Sequence, residues 1–400
     1  MSPPRSTAEA PRLVPSALAA RHPGIAASAG VFLAALLAFL AIGAALPVLP
    51  AYVRGTLHAG DFAVGIVVGA FAVTAVFCRP LAGRQADRRG RRIVLVAGAS
   101  AMALGGALYL LASSVAGLVA ARLVVGMGEG AVYTAGATWA VDLAPEDRQG
   151  LALGLFGLSV WGGLSLGPLA GELLRSGLGY DAVWTLTAVL PLAGALIALR
   201  LPEPARMDAA ATPGPLAFFP RAAHRPGLAL ALANVGYAAL AGFVVLHLHA
   251  RGIGGGATVF TAFAVAVFAS RLALSRVPDR AGARRTATAA GLLEALGLVV
   301  IALASSLALA LVGAVVIGVG FSMLFPSLAL MVVGEVGEDR RGSALGAFTA
   351  FFDIGVGLGA PIAGLTASLA GYPAVFVLAA AAALCTAALA ATSAPRMRRR

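Results

Sequence analysis

Long apolar runs separated by short polar turns dominate the chain. Twelve runs are long enough to cross about 30 Å of hydrocarbon at the helical rise of about 1.5 Å per residue. They lie at residues 27–53, 62–82, 92–113, 116–139, 149–173, 181–200, 227–249, 257–276, 285–304, 306–332, 342–368 and 372–392. The pattern predicts an all-α membrane protein with 12 transmembrane helices.

A proline-rich polar stretch at residues 201–226 divides these helices into two sets of six. Its six prolines favour a linker over a folded domain. We therefore predict a tail at 1–26, an amino-terminal half at 27–200, a carboxy-terminal half at 227–392 and a basic tail at 393–400. The first tail lacks the compact apolar core and cleavage site of a signal peptide.

The two halves resemble each other at a constant offset of 192 residues. Three blocks recur in this register: Ala-Phe-Ala-Val at 70–73 and 262–265, Asp-Arg at 87–88 and 279–280, and Glu-Asp-Arg at 146–148 and 338–340. Three separated blocks in one register indicate a duplication, so the two halves are predicted to be pseudo-symmetric.

Composition and charge narrow the class of protein. The chain is 60% hydrophobic and 12% charged, which is more apolar surface than one water-soluble core can hide. Its net charge of +12 comes from 29 basic residues, all of them arginine. In a soluble protein this charge would suggest nucleic acid, so the distribution of the arginines matters.

Twenty-five arginines lie in segments on the side of both termini, three lie on the other side, and Arg122 lies within an apolar run. This count places Arg79 and Arg271 with the loops. The asymmetry predicts cytoplasmic termini in a bacterial plasma membrane, by the excess of positive charge in cytoplasmic loops. Anionic lipid headgroups, and not nucleic acid, are the predicted partners of the charge.

A basic hairpin at residues 83–92 carries the clearest family resemblance. Its sequence is similar to the Gly-x-x-x-Asp-Arg-x-Gly-Arg-Arg/Lys loop of the major facilitator superfamily, a large family of secondary transporters. The matching residues are Gly83, Asp87, Arg88, Gly90, Arg91 and Arg92. The resemblance implies two parallel six-helix halves with a substrate cavity between them near the midplane. We expect such a chain to act as a monomer.

The resemblance also implies a conformational latch. Asp87 would face the amino-terminal end of the eleventh helix near Gly342, where a negative charge suits the helix dipole. The mirrored contact would use Asp279 at the fifth helix. The remaining predicted latch residues are Arg148, Arg280, Gly282 and Arg340. A solvated Asp87 neutralised by a neighbouring arginine is the alternative.

Two helix motifs resemble those of drug:proton antiporters in this superfamily. The first run ends Pro-Val-Leu-Pro at residues 47–50, similar to the Pro-Val-x-Pro ending of that branch. In the fifth run, Gly163, Gly167, Pro168 and Gly171 follow a Gly-x-x-x-Gly-Pro-x-x-Gly spacing. Small residues on one face let helices touch and a proline supplies a bend, so plain helix packing is the alternative.

Charged residues within the apolar runs are the candidate proton-coupling groups, because a charge in lipid is costly and points to function. Glu129 is the first candidate and Asp353 the second. Arg122, in a Leu-x-x-x-Arg-x-x-x-Gly-x-Gly signature, is predicted to modulate Glu129 from two helical turns away. Its alternative role is structural pairing with backbone. The predicted cavity residues are Tyr133, Trp161, Asn234 and Tyr237.

The sequence contains no P-loop, nucleophile elbow or His/Cys cluster, so we expect no enzyme, metal or organic cofactor. The resemblance implies alternating-access efflux of a small organic molecule in exchange for protons, driven by the proton gradient alone. A proton-coupled importer of a sugar or other metabolite is the alternative. A non-transporting receptor would predict long loops or a soluble domain, which the pattern lacks.

Overall fold

The computed structural model describes residues 23–145, 148–203, 221–336 and 341–392, and their regular structure is helical. The helices are α1 (Pro23–Ala45), α2 (Val48–Gly55), α3 (Asp61–Arg89), α4 (Arg91–Leu111), α5 (Val115–Asp142), α6 (Gln149–Leu178), α7 (Tyr180–Leu199), α8 (Arg221–Ala250), α9 (Gly256–Ala273), α10 (Val277–Ala281), α11 (Ala283–Leu303), α12 (Leu307–Glu335), α13 (Arg341–Ala370) and α14 (Tyr372–Thr392). Within these described residues, 12 segments are long and apolar enough to span a membrane.

The spanning segments confirm the predicted fold class, since each predicted run corresponds to one of them. The chain bends between α1 and α2, which together form the first span, and α10 is a short helix between two spans. The predicted linker is shorter than expected because α8 begins at Arg221 instead of residue 227. The structure does not describe residues 1–22, 146–147, 204–220, 337–340 and 393–400. These include most of the predicted amino-terminal tail, most of the predicted linker and the predicted basic tail.

The helices pack in two mirrored sets of six. In the amino-terminal half, α1 packs on α6 and α7, and α4 packs on α5 and α7. In the carboxy-terminal half, the helices at the equivalent positions repeat this arrangement, with α8 on α13 and α14, and α11 on α12 and α14. Two symmetry-related pairs, α3 with α13 and α6 with α9, join the halves. The packing therefore follows the duplication seen in the sequence.

We call the membrane face where α1 begins and α14 ends the terminal face. Near the opposite face, the halves touch directly: the Tyr372 hydroxyl donates a hydrogen bond to Asp61 Oδ1 at 3.0 Å. On α3, Gly65 lies against the backbone of Ala360, where a Cβ atom would clash. These contacts hold the two halves together on the side opposite the termini.

Candidate functional site

A cavity lies between the halves at the level of the helix midpoints and extends toward the terminal face. About 850 Å³ of empty space lies in this region, part of it open to solvent. Its apolar wall is largely aromatic and includes Phe71, Tyr133, Trp161, Tyr237, Phe321 and Phe352. Its charged lining residues are Arg79, Glu129 and Arg271.

The central polar feature is an ion-pair cluster that we call the Arg79 bridge, formed by Arg79, Glu129 and Asp353. Arg79 Nε donates to Asp353 Oδ2 at 2.6 Å, and Arg79 Nη2 donates to the two Glu129 oxygens at 3.0 and 3.1 Å. The same Nη2 donates to Asp353 Oδ1 at 3.1 Å. Because Arg79 and Glu129 lie on α3 and α5 while Asp353 lies on α13, the bridge joins the two halves.

The Arg79 bridge is shielded from solvent. The side chains of Arg79 and Glu129 are 12% and 6% exposed, and that of Asp353 is fully buried. The Arg79 guanidinium also lies 4.7 Å from the centroid of the Tyr133 ring, a cation–π distance. Charge-assisted hydrogen bonds of this kind are strong where water is excluded. The cluster is therefore a fixed electrostatic link in the wall of the cavity.

Glycines on α5 bring Glu129 within reach of Arg79. A Cβ atom at Gly126 would lie 2.5 Å from Thr74 Oγ1 on α3, and one at Gly128 would lie 2.6 Å from Met102 on α4. The Thr74 hydroxyl donates to the Leu123 carbonyl at 2.7 Å across the same contact. The glycine signature of the fourth run thus lets α5 approach both neighbouring helices closely.

Arg122 has partners other than the one predicted from the sequence. Its Nε and Nη2 donate to the backbone carbonyls of Val67 and Val68 at 3.1 and 2.8 Å, and its guanidinium lies 4.5 Å from the Phe71 ring centroid. The side chain is fully buried. Arg122 thus pairs with backbone, which was the alternative role given in the sequence analysis. The arginine that pairs with Glu129 is Arg79. The proton-coupling roles of Glu129, Asp353 and Arg122 stay predictions.

The arginine count in the sequence grouped Arg79 and Arg271 with the loops. The structure corrects this, since both lie within helices and line the cavity. Arg79 lies well inside α3, which continues to Arg89, and Arg271 lies in the last turn of α9. Both arginines fall within their predicted runs, and they align at the offset of 192 residues. That alignment was the signal available in the sequence.

Three of the four predicted cavity residues line the cavity, namely Tyr133, Trp161 and Tyr237. Asn234 instead lies buried where α8 meets α13, next to Gly355. Its Nδ2 donates to the Leu230 carbonyl at 2.8 Å within α8. Asn234 and Tyr237 are three residues apart and so point about 60° apart around α8, which places one in the contact with α13 and the other in the cavity.

The antiporter-like glycines of α6 pack on α1. A Cβ atom at either Gly163 or Gly167 would lie 2.6 Å from the backbone of Leu40, and Gly171 lies against Ala44. Pro168 is buried within α6. In this structure the glycines serve as a close helix contact, the alternative that the sequence left open. The antiporter role of this motif stays a prediction.

The predicted hairpin at residues 83–92 is mostly helical: residues 83–89 form the end of α3, Gly90 is the turn, and Arg91 and Arg92 begin α4. Asp87 is 54% exposed and pairs with Arg91 Nη1 at 3.0 Å, while Arg91 Nε donates to Asp142 at 2.8 Å. Gly90 has a φ of 105°, which favours glycine.

The rest of the predicted latch is only partly visible. Asp279 is exposed in α10 beside Arg280, Gly282 has a φ of 89°, and Arg148 immediately precedes α6. The predicted partner of Asp87 is the start of the eleventh span, where Arg340 lies outside the described residues and Gly342 has no described side-chain surroundings. The latch therefore stays a prediction.

Glu203 is a residue that the sequence analysis missed. Its carboxylate accepts backbone hydrogen bonds from Arg91 at 2.6 Å and from Arg92 at 3.2 Å. These are unpaired N–H groups at the start of α4, so Glu203 caps that helix and complements its dipole. A single glutamate after Pro202 gives no local pattern that reveals a cap more than a hundred residues away.

Comparisons with known proteins agree with this architecture. A sequence profile of the family described as Major Facilitator Superfamily matches residues 31–258 and 227–400. The chain is 35% identical over 367 residues to an uncharacterized MFS-type transporter of Salmonella typhimurium, and the match covers 89% of this chain and 93% of the relative.

Two solved structures show the same fold. The nucleoside transporter NupG gives a TM-score of 0.74 at 16% identity, covering 90% of this chain and 97% of that one. The human organic anion transporter MFSD10 gives a TM-score of 0.70 at 21% identity, covering 92% and 100%. At these identities the likeness bears on the fold alone.

Proposed function

This chain belongs to the major facilitator superfamily, and we propose that it exports a small organic molecule in exchange for protons. It is a multi-pass membrane transporter and not an enzyme. Alternating access would expose the central cavity to one face of the membrane at a time. The proton gradient would supply the driving force, and we propose that one chain suffices for the cycle.

The observation that carries the proposal is the Arg79 bridge. One guanidinium holds two ionisable carboxyl groups, one from each half, within 3.1 Å. Protonation of Asp353 would remove the charge of the only described partner that Arg79 has in the other half. The electrostatic link between α3 and α13 would then weaken, which would let the halves move apart. Proton binding and conformational change thus act on the same contact.

Exchange follows if proton and substrate compete for the cavity. With both carboxyl groups ionised, the Arg79 side chain stays against Glu129 and Asp353. After protonation its guanidinium needs other acceptors, and the adjoining space is the cavity beside Tyr133. A substrate would be displaced by an arginine that moves into its site. The antiporter-like glycine contact between α6 and α1 also supports export by resemblance.

Proton symport is the second candidate, and Arg271 favours it. Among the described residues Arg271 has no carboxylate partner, although it lines the same cavity as Glu129. An anion bound to Arg271 would add negative charge near the Arg79 bridge, which favours a proton on one of its carboxyl groups. Substrate and proton would then bind together. The two candidates differ in whether substrate binding releases protons, as in antiport, or takes them up, as in symport.

Proton exchange in weakly buffered protein tests both candidates. Purified protein with a pH indicator should release protons on addition of a transported compound if it is an antiporter, and should take them up if it is a symporter. Glu129→Gln or Asp353→Asn should abolish the change and the transport driven by a pH gradient in proteoliposomes. Asp181→Asn is the matched control, because Asp181 is exposed on α7.

The outcomes separate the roles of the two carboxyl groups. Loss in Asp353→Asn alone would assign coupling to α13, and loss in Glu129→Gln alone would assign it to α5. Full proton-coupled transport in both variants would end the proposal of proton coupling.

We place the terminal face in the cytoplasm of a bacterial cell. Arg84, Arg88 and Arg89 lie near the end of α3 at this face, where anionic headgroups would hold them. The curated relative is bacterial, and positive charge favours the cytoplasmic side. Reporters fused after Arg400 and near Gly177 should therefore give cytoplasmic and external signals, respectively. The reverse result would overturn this orientation.

A further inference from the structure

Arg271 is a partly buried cation in the cavity wall, and among the described residues it pairs with no carboxylate. It projects from α9, and its Nη2 makes one long hydrogen bond, 3.5 Å to the carbonyl of Ser322. Its Nε is buried and has no hydrogen-bond partner among the described residues. Its guanidinium lies 6.0 Å from the ring centroid of Trp161. A buried guanidinium in this condition is costly unless a ligand supplies the missing acceptor.

The internal duplication shows what distinguishes Arg271 from Arg79. Arg271 is the residue 192 positions after Arg79. At the same offset, Glu129 corresponds to Phe321 and Asp353 corresponds to Trp161. Both carboxylates that hold Arg79 are thus replaced by aromatic rings around its counterpart. These two replacements explain why Arg79 is paired with carboxylates while Arg271, at the equivalent position, is not.

The aromatic residues beside Arg271 form a continuous surface. The ring centroid of Phe321 lies 5.7 Å from that of Trp161 and 6.0 Å from that of Tyr237. Trp161 and Tyr237 are 6.5 Å apart in an edge-to-face arrangement. Such a wall offers stacking and edge-to-face contacts to an aromatic ring. Its apolar rings also lower the local dielectric constant, which strengthens an ion pair formed with Arg271.

We propose that the substrate is an aromatic organic anion. Its carboxylate or sulfonate pairs with Arg271, and its ring lies against Trp161, Tyr237 and Phe321. A planar guanidinium can hold either group through two parallel hydrogen bonds. The inference rests on the proposed use of this cavity for transport, and it holds for either sign of proton coupling.

Binding of matched probes to the purified full-length protein tests the proposal. Three probes share one ring system and differ in charge: 2-naphthoate, neutral 2-naphthamide and cationic 2-naphthylmethylamine. Calorimetry should show that 2-naphthoate, or a second anion with the same rings, 2-naphthalenesulfonate, binds about tenfold or more tightly than the neutral amide, the ratio expected for a hydrogen-bonded ion pair. The cation should bind no better than the amide.

Substitutions assign the effect to the residues. Arg271→Gln should bring the affinity for 2-naphthoate down to that for the amide, and Arg271→Lys should keep part of the preference. Trp161→Ala should weaken both probes by similar factors, because it removes ring contact and keeps the charge. Arg251→Gln is the matched control, since Arg251 lies near the opposite face and binds backbone carbonyls of residues 302 and 304.

Three results would overturn the inference. The first is a Kd above about 1 mM for both anionic probes. The second is tighter binding of the cationic probe than of 2-naphthoate. The third is a preference for the anion that Arg271→Gln does not remove. Failure of the proposed proton coupling is distinguishable from all three. A protein that prefers 2-naphthoate through Arg271 but shows no proton change on binding it would keep the substrate class and lose the coupling.

Discussion

At the scale of single residues, the sequence identified the charged residues within apolar runs but did not identify their partners. Glu129 and Asp353 stood out because a carboxyl group in a transmembrane run is costly. The sequence assigned Arg122 to Glu129 from helical spacing, but the structure pairs Glu129 with Arg79. Partner choice depends on how α3, α5 and α13 are rotated against one another. That information lies in tertiary packing and not in the spacing along one helix.

The Arg79 bridge leads to a stability prediction. Arg79→Gln leaves two buried carboxyl groups without their shared countercharge, so it should lower unfolding stability by about 3 kcal/mol or more. A triple variant that also carries Glu129→Gln and Asp353→Asn should recover most of this loss, because no buried charge then remains. Thermal unfolding of purified protein measures both effects.

An ion pair whose arginine is exposed supplies the control for this prediction. Arg54 pairs with Asp61 at 3.3 Å and its side chain is 43% exposed, so Arg54→Gln should cost less than about 1 kcal/mol. Equal losses in Arg54→Gln and Arg79→Gln would show that burial of the bridge adds nothing. A triple variant as unstable as Arg79→Gln would show that the loss comes from side-chain shape and not from charge.

At the scale of helices, the number and order of elements followed from the apolar pattern, and their ends did not. The two hairpins show why. In the amino-terminal half α3 runs without a break to Arg89, whereas the equivalent segment splits into α9 and α10. Pro278 stands where the first copy has Ala86 and lies in the first turn of α10, a position that suits a proline because its N–H needs no helical partner. The difference in sequence between the repeats is visible when they are aligned.

The contact between α1 and α6 gives a prediction with a control on the same helix. A side chain at Gly167 would meet the backbone of Leu40 and Ala44, so Gly167→Val should separate the helices and reduce folded protein and transport severely. Gly154, also on α6, has open space around its Cβ position. Gly154→Val should therefore retain near-normal folding, as measured by size-exclusion chromatography in detergent. Equal tolerance of both substitutions would contradict this close contact.

At the scale of the whole molecule, the duplication predicted two similar halves, and the mirrored helix packing follows it. The sequence did not predict which face of the membrane the halves close. That depends on small differences in free energy between conformations that share one set of helices. Here the halves meet near the opposite face through Gly65, Gly69 and Tyr372, while the cavity extends toward the terminal face.

Alternating access requires these opposite-face contacts to break in each cycle, and an engineered disulfide tests that requirement. A Cβ atom at Gly69 would lie 3.3 Å from Ala360 Cβ in the other half, close to the separation in a disulfide. In a background with Cys78→Ala and Cys385→Ala, Gly69→Cys with Ala360→Cys should cross-link on mild oxidation. Transport should then stop, and a reducing agent should restore it.

A second cysteine pair, placed within one half, tests whether a loss of transport comes from blocked motion between the halves or from a new disulfide in general. A Cβ atom at Gly359 would lie 3.5 Å from Ala238 Cβ, and both positions belong to the carboxy-terminal half. Ala238→Cys with Gly359→Cys should therefore cross-link equally well and leave transport largely intact, because each half moves as a unit. Full transport by the oxidised Gly69–Ala360 pair would show that the halves need not part at this face. Loss with both pairs would mean that motion within the carboxy-terminal half is also required, and rigid rocking of the two halves would then be an insufficient mechanism.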